Sequence, residues 1–488
     1  MTQTEQAKHR SPLANILTYG LGLVVNKGVA LIMLPIMANY LVPAQIGRLD
    51  LLASIGAVTG IVITFALHEA LYRFVGEEQS RGKQFQKASQ IFTVTCLVSF
   101  LIATSLFLFI NWLNPVSFEF VSTTELNLLL VCASLEGILG LSTAWLRMQD
   151  KAITFLIISV GATVLQIGLI LTVLFNQPSV ELILACGAAT YTVQAIALLF
   201  INRFSVTLPN RKKLISYLSY GGPLMLTALV GFSLNGAERF FVAYSTDLNT
   251  LGQYAIAIKF SFAMCILVQP FGMWWMPKRF KVMTEQGYAK TSEITQLGII
   301  YITALTVSIA FAAKAFILLA LPDAYLLSAQ LVIGTLLFAW FKEVAELLNI
   351  GILYKKKTKL QLWISTGSSV LGLLLMWTLG QYGVWGIVFA LVAAQATKAV
   401  CVYIFSQQQA PLPYLPQVFM MNIGTLVLCL LLAFNLNSLW GCLILAALTA
   451  IIAVLPAMLF RGIQFKLRSF VISILMVLNK KKTRHNHC

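Results

Sequence analysis

The chain has 488 residues, of which 59% are hydrophobic and only 10% charged, with a mean hydropathy of +0.84 and a formal net charge of +17. A soluble globular chain carries about 25% charged residues, and no polar stretch here approaches the roughly 50 residues that a small soluble domain needs. This excludes a soluble enzyme or nucleic-acid-binding module; the positive charge reads instead as the Lys and Arg bias of cytoplasmic loops, drawn to anionic headgroups.

A bilayer span takes about 20 apolar residues. Fourteen stretches qualify, at roughly 13–40, 49–74, 88–110, 125–146, 152–175, 181–202, 214–245, 250–275, 293–320, 325–353, 360–379, 383–405, 416–435 and 438–460. The polar start Met1–Ser11, with Lys8 and Arg10, is followed by an apolar run of full span length, so no cleavable signal is expected. The gaps near Lys83, Lys151, Arg211, Lys278 and Lys356 are basic, whereas those near Pro115, Pro178, Thr246, Pro322 and Gln381 carry no Lys or Arg. This alternation predicts an all-α polytopic membrane protein with both termini in the cytoplasm. Only the inner gap Ser406–Pro416 is silent on the point. After the last span, a tail with Arg461, Lys466, Arg468, Lys480, Lys481, Lys482 and Arg484 brackets Phe470–Leu478, which is too short to span and is expected to lie at the interface.

Seven of the eight cysteines lie in apolar stretches and none forms a CxxC pair, so disulfides and metal sites are not expected, and neither is metal binding by His485, His487 and Cys488 in the basic tail. The outer gaps are short, the longest being Asn111–Thr124, which leaves no room for extracytoplasmic catalysis on a polymer. No Walker-type loop is present. The expectation is a transporter rather than an enzyme, without cofactors, and driven by an H+ or Na+ gradient, by the membrane potential or by the gradient of its substrate.

A weak repeat places Tyr40-Leu-Val-Pro-Ala-Gln-Ile-Gly47-Arg-Leu after the first span and Tyr244-Ser-Thr-Asp-Leu-Asn-Thr-Leu-Gly252-Gln-Tyr after the seventh. Each is read as a short outer turn made by its glycine, and both follow odd-numbered spans. The predicted layout is two six-helix lobes related by an axis along the membrane normal: an N-terminal lobe at 1–203, a C-terminal lobe at 204–405, two extra helices at 406–460 and the basic tail at 461–488. Pro35, Pro223 and Pro270 lie inside spans, with Gly221-Gly222-Pro223 opening the seventh, as static kinks or as hinges.

All but seven of the 34 Lys and Arg fall in cytoplasmic gaps, tails or inner helix ends; Arg48 is assigned to an outer loop, and the other six lie within spans. An ionisable group at a helix centre costs about 2.5–3.5 kcal/mol on insertion scales. Lys314 is close enough to its helix end to snorkel. Glu69 with Arg73, and Lys342 with Glu346, are four residues apart and are read as structural pairs on one helix face. Glu238 and Arg239 are adjacent, so they should point apart rather than pair with each other. Lys27, Arg239, Lys259 and Lys398 then remain as candidate substrate-binding residues, with Glu136 and Glu238 as candidates for ion coupling or gating. The excess of cations suits an anionic substrate such as a phosphate or pyrophosphate group.

Four segments carry a family resemblance: Tyr40 to Leu49, Ala70-Leu-Tyr-Arg73-Phe74, Tyr220-Gly-Gly-Pro223-Leu through Glu238-Arg239-Phe240, and Leu251-Gly252-Gln-Tyr254-Ala-Ile-Ala. In order and spacing they resemble the polysaccharide transporter family of the multidrug/oligosaccharidyl-lipid/polysaccharide flippase superfamily, which includes O-antigen flippases; Glu238 stands where that family commonly has Asp. The resemblance implies a V-shaped two-lobe fold with a central cationic cavity in the bacterial inner membrane. It also implies flipping of a polyprenyl-pyrophosphate-linked oligosaccharide to the periplasmic leaflet, next to polysaccharide polymerase machinery. The alternatives are a cation-coupled multidrug exporter, which should carry an acid in the first span where this chain has none between Pro12 and Tyr40, a peptidoglycan-precursor flippase, and a membrane polymerase or ligase.

Overall fold

A computed structural model describes residues 28–29, 31–113, 120–233, 235–436 and 438–459, and all regular structure among them is helical. Eleven of these helices are long and apolar enough to cross a membrane, so the protein is a multi-pass membrane protein; the run Thr358–Gln409 counts as one of the eleven although it holds two of the predicted spans. Lys27, the N-terminal tail, the interfacial segment Phe470–Leu478 and the His485–Cys488 end lie outside the described residues.

The chain forms two compact units. The first takes residues 1–255 with 376–387. It contains α1 (Leu31–Tyr40), α2 (Pro43–Thr64), α3 (Leu67–Gly76), α4 (Arg81–Leu113), α5 (Thr123–Met148), α6 (Ala152–Asn176), α7 (Val180–Asn202), α8 (Arg211–Phe232), α9 (Glu238–Ser245) and the start of α10 (Leu248–Trp275). Starts follow local chemistry. Pro43 supplies a preset φ in the first turn of α2. Ser122 and Glu125 form a reciprocal capping box on α5, and the Asn210 side chain accepts the Lys213 N–H at the head of α8. The core of this unit is built by Leu67, Leu71 and Val75 of α3, Ile91 and Val94 of α4, Leu141 and Trp145 of α5, and Tyr217 of α8. By contrast α6 fully buries only Ala152 and Leu174, and its packing on neighbouring helices is limited to half-buried side chains such as Phe155 and Ile158.

The expected spans 49–74 and 214–245 are each broken. The run 49–74 is interrupted between α2 and α3, where Phe65 and Ala66 adopt φ of +49° and +51°. Left-handed backbone costs an ordinary residue roughly 1–3 kcal/mol, and it frees the Phe65 carbonyl. Gly221 of α8 packs there so closely that an added Cβ would lie 2.4 Å from that oxygen. The run 214–245 ends its first helix at Phe232 and resumes at Glu238. The Ser233 hydroxyl donates to the Val230 carbonyl at 2.7 Å and the Asn235 amide to the Gly231 carbonyl at 3.0 Å. Side chains that engage their own backbone in this way compete with helix continuation.

The second unit takes residues 256–375 with 388–488. Besides the remainder of α10 it contains α11 (Arg279–Glu285), α12 (Gly287–Ala320), α13 (Leu326–Leu348), α14 (Ile350–Tyr354), most of α15 (Thr358–Leu379) and α16 (Gly383–Gln409), α17 (Pro416–Asn435) and α18 (Leu439–Leu459). Within it α12 is the central helix and packs on α11, α13, α17 and α18. Lys314 of α12 does not snorkel. It is 1% exposed, and its ammonium donates to the Ala433 and Phe434 carbonyls at 2.7 and 2.9 Å. These are terminal carbonyls of α17, where unpaired acceptors and the helix dipole both favour a cation. Lys314→Ala should therefore destabilise the protein by about 2–4 kcal/mol, since each buried acceptor left unpaired costs about 1–3 kcal/mol. A thermal melt in detergent measures this, and an unchanged midpoint would show that the cap is dispensable.

Candidate functional site

The two copies of the repeat meet. Gly47 lies in α2 and Gly252 in α10, so neither makes a turn as expected from the sequence. Their role is close approach. A Cβ on Gly47 would sit 2.1 Å from the Leu248 carbonyl oxygen, and a Cβ on Gly252 would sit 1.9 Å from the Pro43 carbonyl oxygen. Each glycine thus faces the carbonyl four residues before the other, a reciprocal contact of the kind a local two-fold produces. Only glycine lets two helix backbones come this near.

A buried ionic cluster lies beside this crossing. Arg239, 8% exposed, donates from Nε to Asp50 Oδ2 at 2.5 Å and from Nη1 to Glu238 Oε1 at 2.9 Å, with a longer bond of 3.4 Å to the Asn235 carbonyl. Glu238 and Arg239 therefore do pair with each other, contrary to the expectation that neighbours point apart. The reason is the break before α9: Glu238 begins a new helix, where its carboxylate is free to wrap toward the next residue. Glu238 is 2% exposed, and the hydroxyl of the fully buried Tyr254 lies against its carboxylate. Among the described residues Glu238 Oε2 and the Tyr254 hydroxyl have no hydrogen-bond partner. The cluster holds two carboxylates and one guanidinium, so the Arg239 charge is consumed and not displayed to a ligand in this conformation.

Asp50 escaped the sequence reading, because its partner is 189 residues away. The available signal was its place one turn beyond Gly47 of the repeat. Arg48 proves to be a residue of α2 rather than of an outer loop, and pairs at 2.8 Å with the buried Glu125 of α5. Arg73 pairs with Glu77, and Glu69 lies 3.5 Å from His68, so Glu69 and Arg73 do not form the pair expected from their spacing. Glu136 is exposed on α5 and, among the described residues, has no hydrogen-bond or ion-pair partner; it packs against Gly60 of α2, where a Cβ would lie 2.2 Å from its Oε2.

In the second unit Lys259 is half-buried on α10 and Lys398 half-buried on α16. The Lys398 ammonium is 4.0 Å from Glu346 Oε1 on α13. Glu346 Oε2 accepts from Asn349 at 3.1 Å, and Asn349 Oδ1 accepts from the buried Arg279 at 2.9 Å. Glu346 thus reaches across to α16, while Lys342 lies near Glu343 and Cys265. The result is a polar file, Arg279–Asn349–Glu346–Lys398, of which the sequence exposed only the last two members. Arg279 looked like one more basic residue of an inner gap.

The profile of the polysaccharide biosynthesis protein family matches residues 13–283. No curated protein matches the chain in sequence. Among solved structures, a lipid II flippase, MurJ, in an inward closed conformation is similar with a TM-score of 0.68 at 12% identity, over 91% of this chain and 99% of that one. An inward-facing multidrug resistance MATE family transporter of the MOP superfamily is similar with a TM-score of 0.55 at 12% identity, over 81% of this chain and 97% of that one. At such identities the likeness is one of fold alone, shared with these two proteins.

Proposed function

The chain belongs to the polysaccharide biosynthesis protein family, and from that premise we propose that it is a flippase. Its substrate is a polyprenyl-pyrophosphate-linked oligosaccharide, an O-antigen or other surface-polysaccharide repeat unit, which it moves from the cytoplasmic to the periplasmic leaflet of the bacterial inner membrane by alternating access. The family membership carries this reading, in a chain with eleven membrane-length helices among its described residues and lysines inside them. A lipid II flippase uses the same fold, which is compatible with a lipid-linked cargo. Fourteen spans with cytoplasmic termini, and six-helix lobes at 1–203 and 204–405, belong to this proposal.

Lys259 and Lys398 are the proposed contacts to the pyrophosphate, through charge-assisted hydrogen bonds to its oxygens, with Lys27 as a third. Glu346 neutralises Lys398 while no substrate is present and exchanges it for the anion. Arg239 moves from a direct contact to a gating role, because Asp50 and Glu238 already hold it. Glu136, an unpartnered carboxylate within a span, is the proposed coupling group, since a carboxylate in that setting is retained for a use.

In proteoliposomes carrying a fluorescent lipid-linked oligosaccharide, Lys259→Ala and Lys398→Ala should each lower the initial flipping rate roughly ten-fold, as expected for loss of one charge-assisted contact of about 1.5–3 kcal/mol. Both variants should remain in the membrane. A double variant that flips at the unsubstituted rate would remove both lysines from the site. A deletion strain that gains drug susceptibility while keeping its surface polymer would favour the exporter reading.

A further inference from the structure

Resting on the reading that the chain cycles between conformations, we infer that Asp50, Glu238, Arg239 and Tyr254 form a proton-binding site that latches the two copies of the repeat. One proton is held on the Glu238 carboxylate while Gly47 and Gly252 are in contact, and its release lets the crossing part.

The charge count leads to this assignment. Arg239 bridges two carboxylates, Asp50 at 2.5 Å and Glu238 at 2.9 Å. With both ionised, the cluster carries a net charge of −1 in a site where Glu238 is 2% exposed and Tyr254 is fully buried. An uncompensated buried charge is among the costliest features a fold can hold, and such groups bind or lose a proton instead. Asp50, with 15% of its side chain exposed, keeps some access to solvent. Glu238 has none to speak of, and its Oε2 is the atom without a partner among the described residues. The Tyr254 hydroxyl, which makes no other hydrogen bond among the described residues, lies beside the same carboxylate, so a protonated Oε2 has an acceptor nearby.

Among the described residues, no other titratable or charged group acts on Glu238 or Arg239. Arg239 stands on the same helix as Glu238, α2 contributes Asp50, and α10 contributes Tyr254. Arg48 of α2 is engaged by Glu125. The turn Gly380–Tyr382 packed on α9 brings Gly380, Gln381 and Tyr382, none of them charged. A metal cation would require several oxygen ligands, and the guanidinium already occupies Asp50 Oδ2 and Glu238 Oε1. A proton is the cation that fits the single oxygen left over.

The latch follows from position. Asp50 is three residues beyond Gly47, and Tyr254 is two beyond Gly252. The helix ends that carry the cluster are the ones that cross, so parting them draws Asp50 from Arg239 and gives Glu238 water in which to ionise. The closed crossing binds more protons than the open one, so low pH favours it, and for a one-proton step the ratio of the two forms changes by up to about ten-fold per pH unit.

The test uses the full chain with its native cysteines replaced and spin labels at Val42→Cys and Asn249→Cys, both exposed positions. Label distances are measured in lipid nanodiscs without substrate from about pH 5 to about pH 9, the range over which a buried carboxylate titrates. A single short distance is expected in acid, with a longer one gaining population as pH rises. Glu238→Gln should hold the short distance throughout, and Asp50→Asn should also abolish the response, because one carboxylate then matches one guanidinium. Distances that ignore pH in the otherwise unsubstituted chain would overturn the inference, as would a response that survives in either variant that folds, or one reproduced by exchanging potassium for sodium at fixed pH. No lipid-linked oligosaccharide is present, so failure here leaves the flipping assay intact, and failure of that assay leaves this result readable.

Discussion

Alanine at Gly252 is expected to destabilise the protein by about 3 kcal/mol or more and to abolish flipping. The added Cβ would lie 1.9 Å from the Pro43 carbonyl oxygen and 3.0 Å from the Gly47 nitrogen. Both obstacles are backbone, so no side chain can swing aside, and the two helices must separate or tilt. Overpacking in a well-packed interior typically costs about 1–3 kcal/mol, and contact with rigid backbone places this site at the upper end. Gly47→Ala should behave alike, since its Cβ would meet the Leu248 carbonyl oxygen at 2.1 Å. Gly161 of α6 supplies the control: nothing lies within 4 Å of a Cβ there, and alanine should be neutral or slightly favourable through helix propensity. Melting temperatures in detergent and flipping rates, measured on all three variants, decide the matter. Equal behaviour at Gly161 and Gly252 would refute a packing role for the crossing.

The second large effect is an asymmetry within the ionic cluster. Arg239→Ala strands the buried Glu238 carboxylate together with the partly buried one of Asp50, and removing one partner from a buried pair costs about 3–5 kcal/mol. Asp50→Ala leaves Arg239 with Glu238 as a matched pair and removes a partly exposed residue, so it should cost much less. Arg239→Lys should fall near Arg239→Ala, because an ammonium lacks the planar fork that reaches Asp50 through Nε and Glu238 through Nη1. Thermal stability of the four proteins, with surface polymer in complemented cells, gives the ranking. If Asp50→Ala were as damaging as Arg239→Ala, the excess of carboxylate would not be the governing term.

The helices were legible from the sequence because a bilayer imposes a length and an apolar composition that few other settings require. The repeat was legible too, and its glycines marked the right places for the wrong reason: a helix-crossing glycine and a turn glycine look the same in one dimension. The breaks were harder. Phe65 and Ala66 carry no turn chemistry, and their left-handed backbone is imposed by packing, with Gly221 seated on the freed carbonyl. The pairing of Asp50 with Arg239 was invisible because both residues had closer charged neighbours in sequence. That pairing also altered the electrostatic picture. Counting spans and cations gives an excess of positive charge within the membrane, but the cluster that contains Arg239 has more carboxylates than cations. Lys314 shows the same limit, since its distance from a helix end suggested solvent while the fold supplied the carbonyls of another helix.

The bare flank of α6 bears on how this protein changes over evolutionary time. With only Ala152 and Leu174 fully buried along its length, its exposed positions, such as Ile153, Ile157, Val164 and Phe175, are answerable to lipid, which distinguishes little between leucine, isoleucine, valine and phenylalanine. Substitutions among these are nearly free, so such a helix drifts quickly while the Gly47–Gly252 contact, where one extra carbon collides with backbone, admits almost no replacement. Divergence is therefore expected to concentrate on lipid-facing surfaces, and a shared fold at 12% identity accords with a protein whose largest neighbour is a fluid.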